Sequence, residues 1–263
     1  MTDAANRPGC LLIHGYGGGP FEMEGMAAAL AEAGIFTRVV CLPGHGDDVE
    51  NFRRYRFPDW LAHAENELAT LMRSRSRVML VGFSMGGTLA LNLAARYPVA
   101  CVAALSTPLY VLSVMPWPLT HAGFYGATGL EQLRRMLRPF RKEAEGAGGE
   151  TSREIAPWKG YSGPVNLGQL VSFRKGCAAT RALLPKVTAP LLVMQDAGDR
   201  VVYAGNAWEI LRRVSSVDAE LVLTRIQETT TRHHMIVTHR ETAALVEKRL
   251  VRHCLEKGLD PVR

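Results

Sequence analysis

The stretch Val78-Met79-Leu80-Val81-Gly82-Phe83-Ser84-Met85-Gly86-Gly87 limits what this chain can fold into more than any other. Four apolar, partly β-branched residues read as a buried strand. They run into Gly-x-Ser-x-Gly, and residues 88–96 read as a helix stopped near Tyr97-Pro98. A serine pinched between strand and helix lies on a tight, strained turn. Gly82 and Gly86 suit that turn because a Cβ at either place would strike the neighbouring element. The turn lifts the Ser84 hydroxyl above the sheet edge, at the positive end of the following helix. A serine can also be a plain helix N-cap, but a cap does not require glycines on both sides.

On either side of this turn the chain alternates strand and helix. Residues 9–14, 36–42, 99–105, 190–194 and 219–226 read as strands, and 20–33, 58–72 and 203–214 as helices. A last helix follows residue 238, with Thr238 and Glu241 spaced as a capping box. Residues 47–57 read as polar and irregular. Repeats of strand and helix in units of about thirty residues call for a doubly wound, mostly parallel α/β sheet covered on both faces. The length of 263 residues suits one such domain with room for an insertion. The rhythm breaks after Ser106-Thr107-Pro108 and resumes at Pro190. Residues 1–107 and 189–263 are therefore assigned to the core, and 108–188 to a small, mainly helical cap. Helices are expected there at 130–142 and 166–182, with a rigid Met115-Pro116-Trp117-Pro118 and a glycine-rich break at 145–150. The segment is no linker, because it carries Trp117, Phe124, Phe140, Trp158 and Phe173.

The net charge of +6 suggests a polyanion partner until it is located. Residues 108–188 hold eleven Lys or Arg against five Asp or Glu, while the rest of the chain holds twenty of each sign. Without interleaved aromatics or a nucleic-acid module, this excess reads as a solvated face, and no nucleic-acid partner is expected. Residues 1–8 are polar, and no run reaches the roughly 18 apolar residues of a membrane span, so neither a secretory signal nor a transmembrane segment is expected. Five dispersed cysteines (Cys10, Cys41, Cys101, Cys177 and Cys254) fit a reducing, cytoplasmic setting. Cys10 and Cys41 fall in strands and read as buried thiols.

A serine hydroxyl is a poor nucleophile near neutrality. It needs a base within hydrogen-bond reach, a carboxylate to orient that base, and donors for the oxyanion that forms. In a doubly wound sheet such groups gather at the carboxyl ends of strands. Ser84 follows one strand, Asp196 and Asp199 follow the next but one, and His233 and His234 follow the last. The order Ser, Asp, His is one that sheets of this type use. Either aspartate could be the acid and either histidine the base. His233, His234 and His239 lack the His-Glu-x-x-His spacing or cysteine partners of a metal site, so no metal or cofactor is expected. His14 and His45 adjoin glycines in strand-end turns and read as loop-shaping residues.

The chain resembles the α/β-hydrolase superfamily, and within it is similar to small bacterial carboxylesterases and monoacylglycerol lipases. The residues that carry the resemblance are Leu12-Ile13-His14-Gly15-Tyr16, Leu42-Pro43-Gly44-His45-Gly46, Pro58-Asp59-Trp60, Gly82 to Gly87, Asp199-Arg200-Val201-Val202 and His234-Met235-Ile236. The resemblance implies Ser84 as nucleophile. It implies Asp199 as acid, because the family's His-Gly-x-x-Asp falls on Gln195-Asp196-Ala197-Gly198-Asp199. Asp196, where the family usually has glycine, is then a turn residue. The aliphatic pair after the histidine implies His234 as base. The oxyanion hole would be the backbone N–H groups of Tyr16 and Met85, whose side chains would line the substrate pocket. The implied activity is hydrolysis of carboxylic esters, short- to medium-chain acyl esters or monoacylglycerols, through an acyl-enzyme and without a cofactor. Thioester hydrolysis or acyl transfer on the same residues is the alternative, and a non-catalytic ligand-binding member of the superfamily is a further one. The cap does not match, so the natural ester, the lining of the pocket and the oligomeric state lie beyond the sequence.

Overall fold

The computed structural model describes residues 7–46, 49–111, 152–161 and 166–259. Its centre is a six-stranded sheet of β1 (Gly9–Ile13), β2 (Phe36–Val40), β3 (Val78–Phe83), β4 (Val102–Leu105), β5 (Leu191–Asp196) and β6 (Ala219–Thr224). The spatial order is β2-β1-β3-β4-β5-β6, and every neighbouring pair is parallel. Because β1 lies inside the sheet, next to its edge, the chain first winds outward to β2 and then crosses back to β3. That reversal leaves a crevice beyond the carboxyl ends of β1 and β3, where ligands bind in open α/β sheets.

Side chains alternate across each strand, so helices are needed on both faces. Leu11, Ile13, Val78, Leu80, Val102, Ala104, Leu191 and Val193 enter one core cluster. Cys10, Leu12, Met79, Val81, Ala103, Leu105, Leu192 and Met194 enter the other. The first face is covered by α2 (Val49–Arg54), α3 (Phe57–Ser74), α4 (Met85–Ala94) and α6 (Leu167–Leu183), which all contribute to that cluster. The second is covered by α1 (Glu24–Glu32) and α8 (Ala243–Gly258). A short α5 (Ser152–Ile155) and α7 (Gly205–Arg213) complete the helices among the described residues. All ten residues of α4 are buried, as suits a helix between a sheet and a second helix layer.

Several elements differ from their sequence reading. Residues 49–54 are helical rather than irregular, because Phe52 anchors them in the first core cluster. Helix α3 starts at Phe57, where the Asp59 carboxylate accepts the Arg56 N–H at 2.7 Å. The Thr238–Glu241 capping box does not open the last helix, which begins at Ala243. Glu241 accepts instead from the N–H groups of Gln227 and Glu228, at 2.8 and 3.3 Å. Cys10 is buried in β1, but Cys41 lies just past β2 and is exposed. In the 108–188 segment, α6 is capped by Asn166, whose side chain accepts the Gln169 N–H at 3.1 Å. Gly176 lets α6 approach the Phe57 ring, where a Cβ would not fit. The readings at 115–118, 130–142 and 145–150 lie outside the described residues. No described helix is long and apolar enough to cross a membrane.

The tightest approach joins α4 to β1. A Cβ on Gly86 would overlap the Ile13 carbonyl oxygen and lie 2.6 Å from that of His14. Backbone cannot yield as a flexible side chain can, so Gly86→Ala is expected to cost about 3–5 kcal/mol. A thermal melt checks this: the midpoint should fall by roughly 10 °C.

Candidate active site

Ser84 joins β3 to α4 with φ 52° and ψ −121°, a conformation that L-residues rarely adopt. Such strain costs about 1–3 kcal/mol and persists only where the surroundings enforce it. Here the Ser84 N–H donates to the Leu105 carbonyl at 2.8 Å, which ties the turn to β4. A Cβ at Gly82 would come within 2.5 Å of the Gly87 nitrogen, so only glycine lets α4 start directly over the strand.

Two loops bring a histidine and a carboxylate to this turn. His234 Nε2 lies 3.0 Å from Ser84 Oγ, and His234 Nδ1 lies 2.8 Å from Asp199 Oδ2. With Nδ1–H donated to the carboxylate, Nε2 is left to accept the Ser84 O–H. Residue His233 has φ 58° and turns the backbone immediately before His234. Asp199 is fixed from both sides. Its Oδ1 accepts the N–H groups of Val201 and Val202 at 2.7 and 2.9 Å, and its Oδ2 accepts Gln195 Nε2 at 2.9 Å. The Asp199 side chain has no exposed surface and that of His234 keeps 11%.

The other two candidates go elsewhere. Asp196 is buried and accepts the Gly198 N–H at 2.8 Å, the Thr224 hydroxyl at 2.9 Å and the Ile226 N–H at 2.9 Å. It therefore ties the end of β5 to the chain leaving β6. The His233 ring meets the Glu228 carbonyl at 2.6 Å through Nε2, and its Nδ1 lies 3.6 Å from Asp196. His239 pairs with Glu228 at 3.2 Å. Among the described residues, no three His, Cys, Asp or Glu side chains are grouped to hold a metal ion.

The loop from His14 to Gly19 faces Ser84 across the crevice. His14 Nδ1–H donates to the Gly15 carbonyl at 2.9 Å, and its Nε2 accepts the Leu42 N–H at 3.1 Å. His45 Nε2 accepts the Gly17 N–H at 3.1 Å. Burial holds His14 down to about 4, and burial followed by the neighbouring His14 holds His45 down to about 3. Both rings stay neutral and act as acceptors. Glu22 accepts the Gly15 N–H at 2.8 Å, and the Gly17 carbonyl accepts the Tyr161 N–H at 2.6 Å. Among the described residues nothing accepts the N–H of Tyr16 or of Met85. The Tyr16 hydroxyl donates to Gln169 at 2.9 Å, and its ring packs edge-on to Phe52 and Trp60. Gln169 in turn donates to the carbonyls of Phe52 and Tyr55. The Met85 side chain is fully enclosed in the first core cluster.

Sequence reasoning passed over Glu22, Gln195 and Gln169. An acid two residues after Gly-Gly-Gly-Pro reads as a solvated first-turn residue of a helix. Only its burial, at 2% exposure, marks it out. Gln195 held the place of the family's histidine, which was a signal that the position touches the acid.

A family model described as "Alpha/beta hydrolase family" matches residues 10–245. The thermostable monoacylglycerol lipase of Bacillus sp. (strain H-257) is 31% identical over 227 residues, which cover 84% of this chain and 83% of that protein. Among solved structures, that of the metagenome-derived lipolytic enzymes LipS and LipT superposes with a TM-score of 0.71 at 22% identity, covering 94% of each chain. The monoacylglycerol lipase of Paleococcus ferrophilus superposes with a TM-score of 0.69 at 14% identity, covering 96% of each chain. At those identities the two structures speak for the fold alone.

Asp196→Ala would leave three donors near β5 and β6 without their acceptor. A loss of about 3–5 kcal/mol is expected in denaturant unfolding. Asp196→Asn keeps an acceptor oxygen and should cost less than half of that.

Proposed function

The chain belongs to the alpha/beta hydrolase family, and from that membership we propose that this carboxylic ester hydrolase works through an acyl-enzyme on Ser84. The observation that carries the reading is the chain of hydrogen bonds from Ser84 through His234 to Asp199, opposite two N–H groups that no described residue accepts. In this mechanism His234 Nε2 takes the Ser84 proton as Oγ attacks the ester carbonyl. Asp199 keeps the imidazole in the tautomer that makes Nε2 the base and stabilises the imidazolium that forms. The Tyr16 and Met85 N–H groups receive the oxyanion, and each such donor is worth roughly 10²–10³ in turnover. The imidazolium then protonates the departing alcohol. Water, activated by the same ring, releases the acid and restores Ser84. Ser84, His234 and Asp199 form the catalytic triad of this reading.

The substrate class follows from apolar surroundings. Tyr16 carries the proposed donor and lies among Phe52, Trp60 and Phe173. Residues 108–188 are assigned as the cap over the site, and its residue Tyr161 bonds the Gly17 carbonyl. Short- to medium-chain acyl esters or monoacylglycerols suit such walls, as does the monoacylglycerol lipase likeness. None of the five cysteines is in a disulfide, which accords with a cytoplasmic setting.

An aryl-ester chain-length series tests the reading. Wild type should turn over short to medium chains, and Ser84→Ala should lose essentially all of it. Asp199→Asn should lower kcat by about 10³–10⁴ with a folded protein. A larger loss with Asp196→Asn would reverse the assignment of the acid. Faster turnover of acyl-CoA than of an ester with the same acyl group would move the assignment to thioesters.

A further inference from the structure

Behind the loop that presents the Tyr16 N–H lies a carboxyl group that the ester chemistry does not use. Glu22 ends the 3-10 turn Pro20–Glu22, directly after Gly17-Gly18-Gly19, and is 2% exposed. Its Oε2 accepts the Gly15 N–H at 2.8 Å. Gly18 leaves room for it, since a Cβ there would lie 2.6 Å from Oε1 and closer still to Oε2. A Cβ on Gly15 would lie 3.2 Å from Ser84 Cβ on one side and 3.4 Å from Glu22 Oε2 on the other. One glycine therefore separates this carboxyl from the proposed nucleophile.

A buried carboxylate is costly, and burial pushes Glu22 up from 4.5 to about 7. The Gly15 and Gly19 amides and the charge of His234 pull it the other way. The groups around it are few. His234 approaches from the loop after β6, with Asp199 bonded to its Nδ1. His14 and His45 on the adjoining loops are neutral. From α8, Glu247 lies against Gly25, three residues further along. No lysine or arginine among the described residues contributes to the shift.

We propose that Glu22 is a positioning residue for turnover, its carboxylate gripping the Gly15 N–H so that the Tyr16 N–H is aimed at the reacting carbonyl. This rests on the ester-hydrolase reading above. The ionised form grips more strongly, because hydrogen bonds to a carboxylate are about twice as strong as neutral ones. Its charge also favours the imidazolium that His234 becomes during attack. Turnover should therefore follow two ionisations on its acid side, those of His234 and Glu22.

Glu22→Gln keeps the size and an acceptor oxygen but removes the charge. Its kcat should fall about tenfold while KM stays within about twofold, and the acid limb of log kcat/KM should lose its steep segment, the extra fall of about one log unit that protonation of Glu22 adds near pH 7 in wild type. Glu22→Asp keeps the charge but retracts it, so it should lose kcat and retain the steep limb. A Glu22→Gln enzyme with kcat within about twofold of wild type and an unchanged limb overturns the proposal. A second readout needs no substrate. The folded acid holds its proton more tightly than the unfolded one, so wild type loses stability as pH rises from about 4.5 to about 7 and carries the full burden above. Gln lacks this burden. The melting midpoint of Glu22→Gln should thus gain on wild type by several degrees between about pH 5 and pH 8, and a constant gap overturns the proposal. If wild type shows no Ser84-dependent turnover, the ester reading fails and the positioning role falls with it, whereas Ser84-dependent turnover that Glu22→Gln leaves unchanged overturns the positioning role alone.

Discussion

The approach of α4 to β1 at Gly86, with no Cβ between them, is the contact on which the rest of this sheet edge depends. It sets the first turn of α4 against the carbonyls of Ile13 and His14. That accompanies a positive-φ turn at Ser84, with Met85 opening the helix directly after it. Two neighbouring parallel strands at a switch of winding direction thus bring Ser84 and Gly15 side by side. The enclosed α4 and the two clusters of core side chains hold the turn in place, so the strain at Ser84 has something to work against.

Hydrogen-bond accounting explains why the facing loop has its shape. Buried N–H groups need acceptors. In this loop, Glu22 supplies one for Gly15 and the neutral His45 one for Gly17. Among the described residues the N–H of Tyr16 is passed over, and so is that of Met85 at the start of α4. Free donors near a hydroxyl bonded to a histidine are what the proposed acyl-transfer chemistry calls for. Satisfaction elsewhere in the loop is what singles out those two groups.

Much of the fold was legible in the sequence because its signals are local. Buried parallel strands are short apolar runs, and the Gly-x-Ser-x-Gly turn needs small residues at fixed offsets. What was not legible depends on tertiary partners. Helix α2 hangs on Phe52 alone, too little for a periodic signal. Thr238 and Glu241 have capping-box spacing, but Glu241 is engaged by the 227–228 backbone and the helix starts later. Asp196 and Asp199 lie three residues apart, and His233 and His234 are adjacent, so residue type cannot separate them. Backbone direction does: Asp196 turns to β6 while Asp199 turns to His234. Glu22 was hidden for the same reason, since its burial exists only once the glycine loop folds over it.

The central claim is that Ser84 forms a covalent acyl intermediate with the ester. It is tested most directly by mixing the protein with an excess of a short aryl ester, quenching in acid within milliseconds and mapping the peptide masses. The predicted result is one acyl group on the peptide that contains Ser84, formed with a burst of the aryl alcohol and lost as turnover finishes. Steady hydrolysis with no acyl group on that peptide, or an acyl group on another residue, would contradict the account.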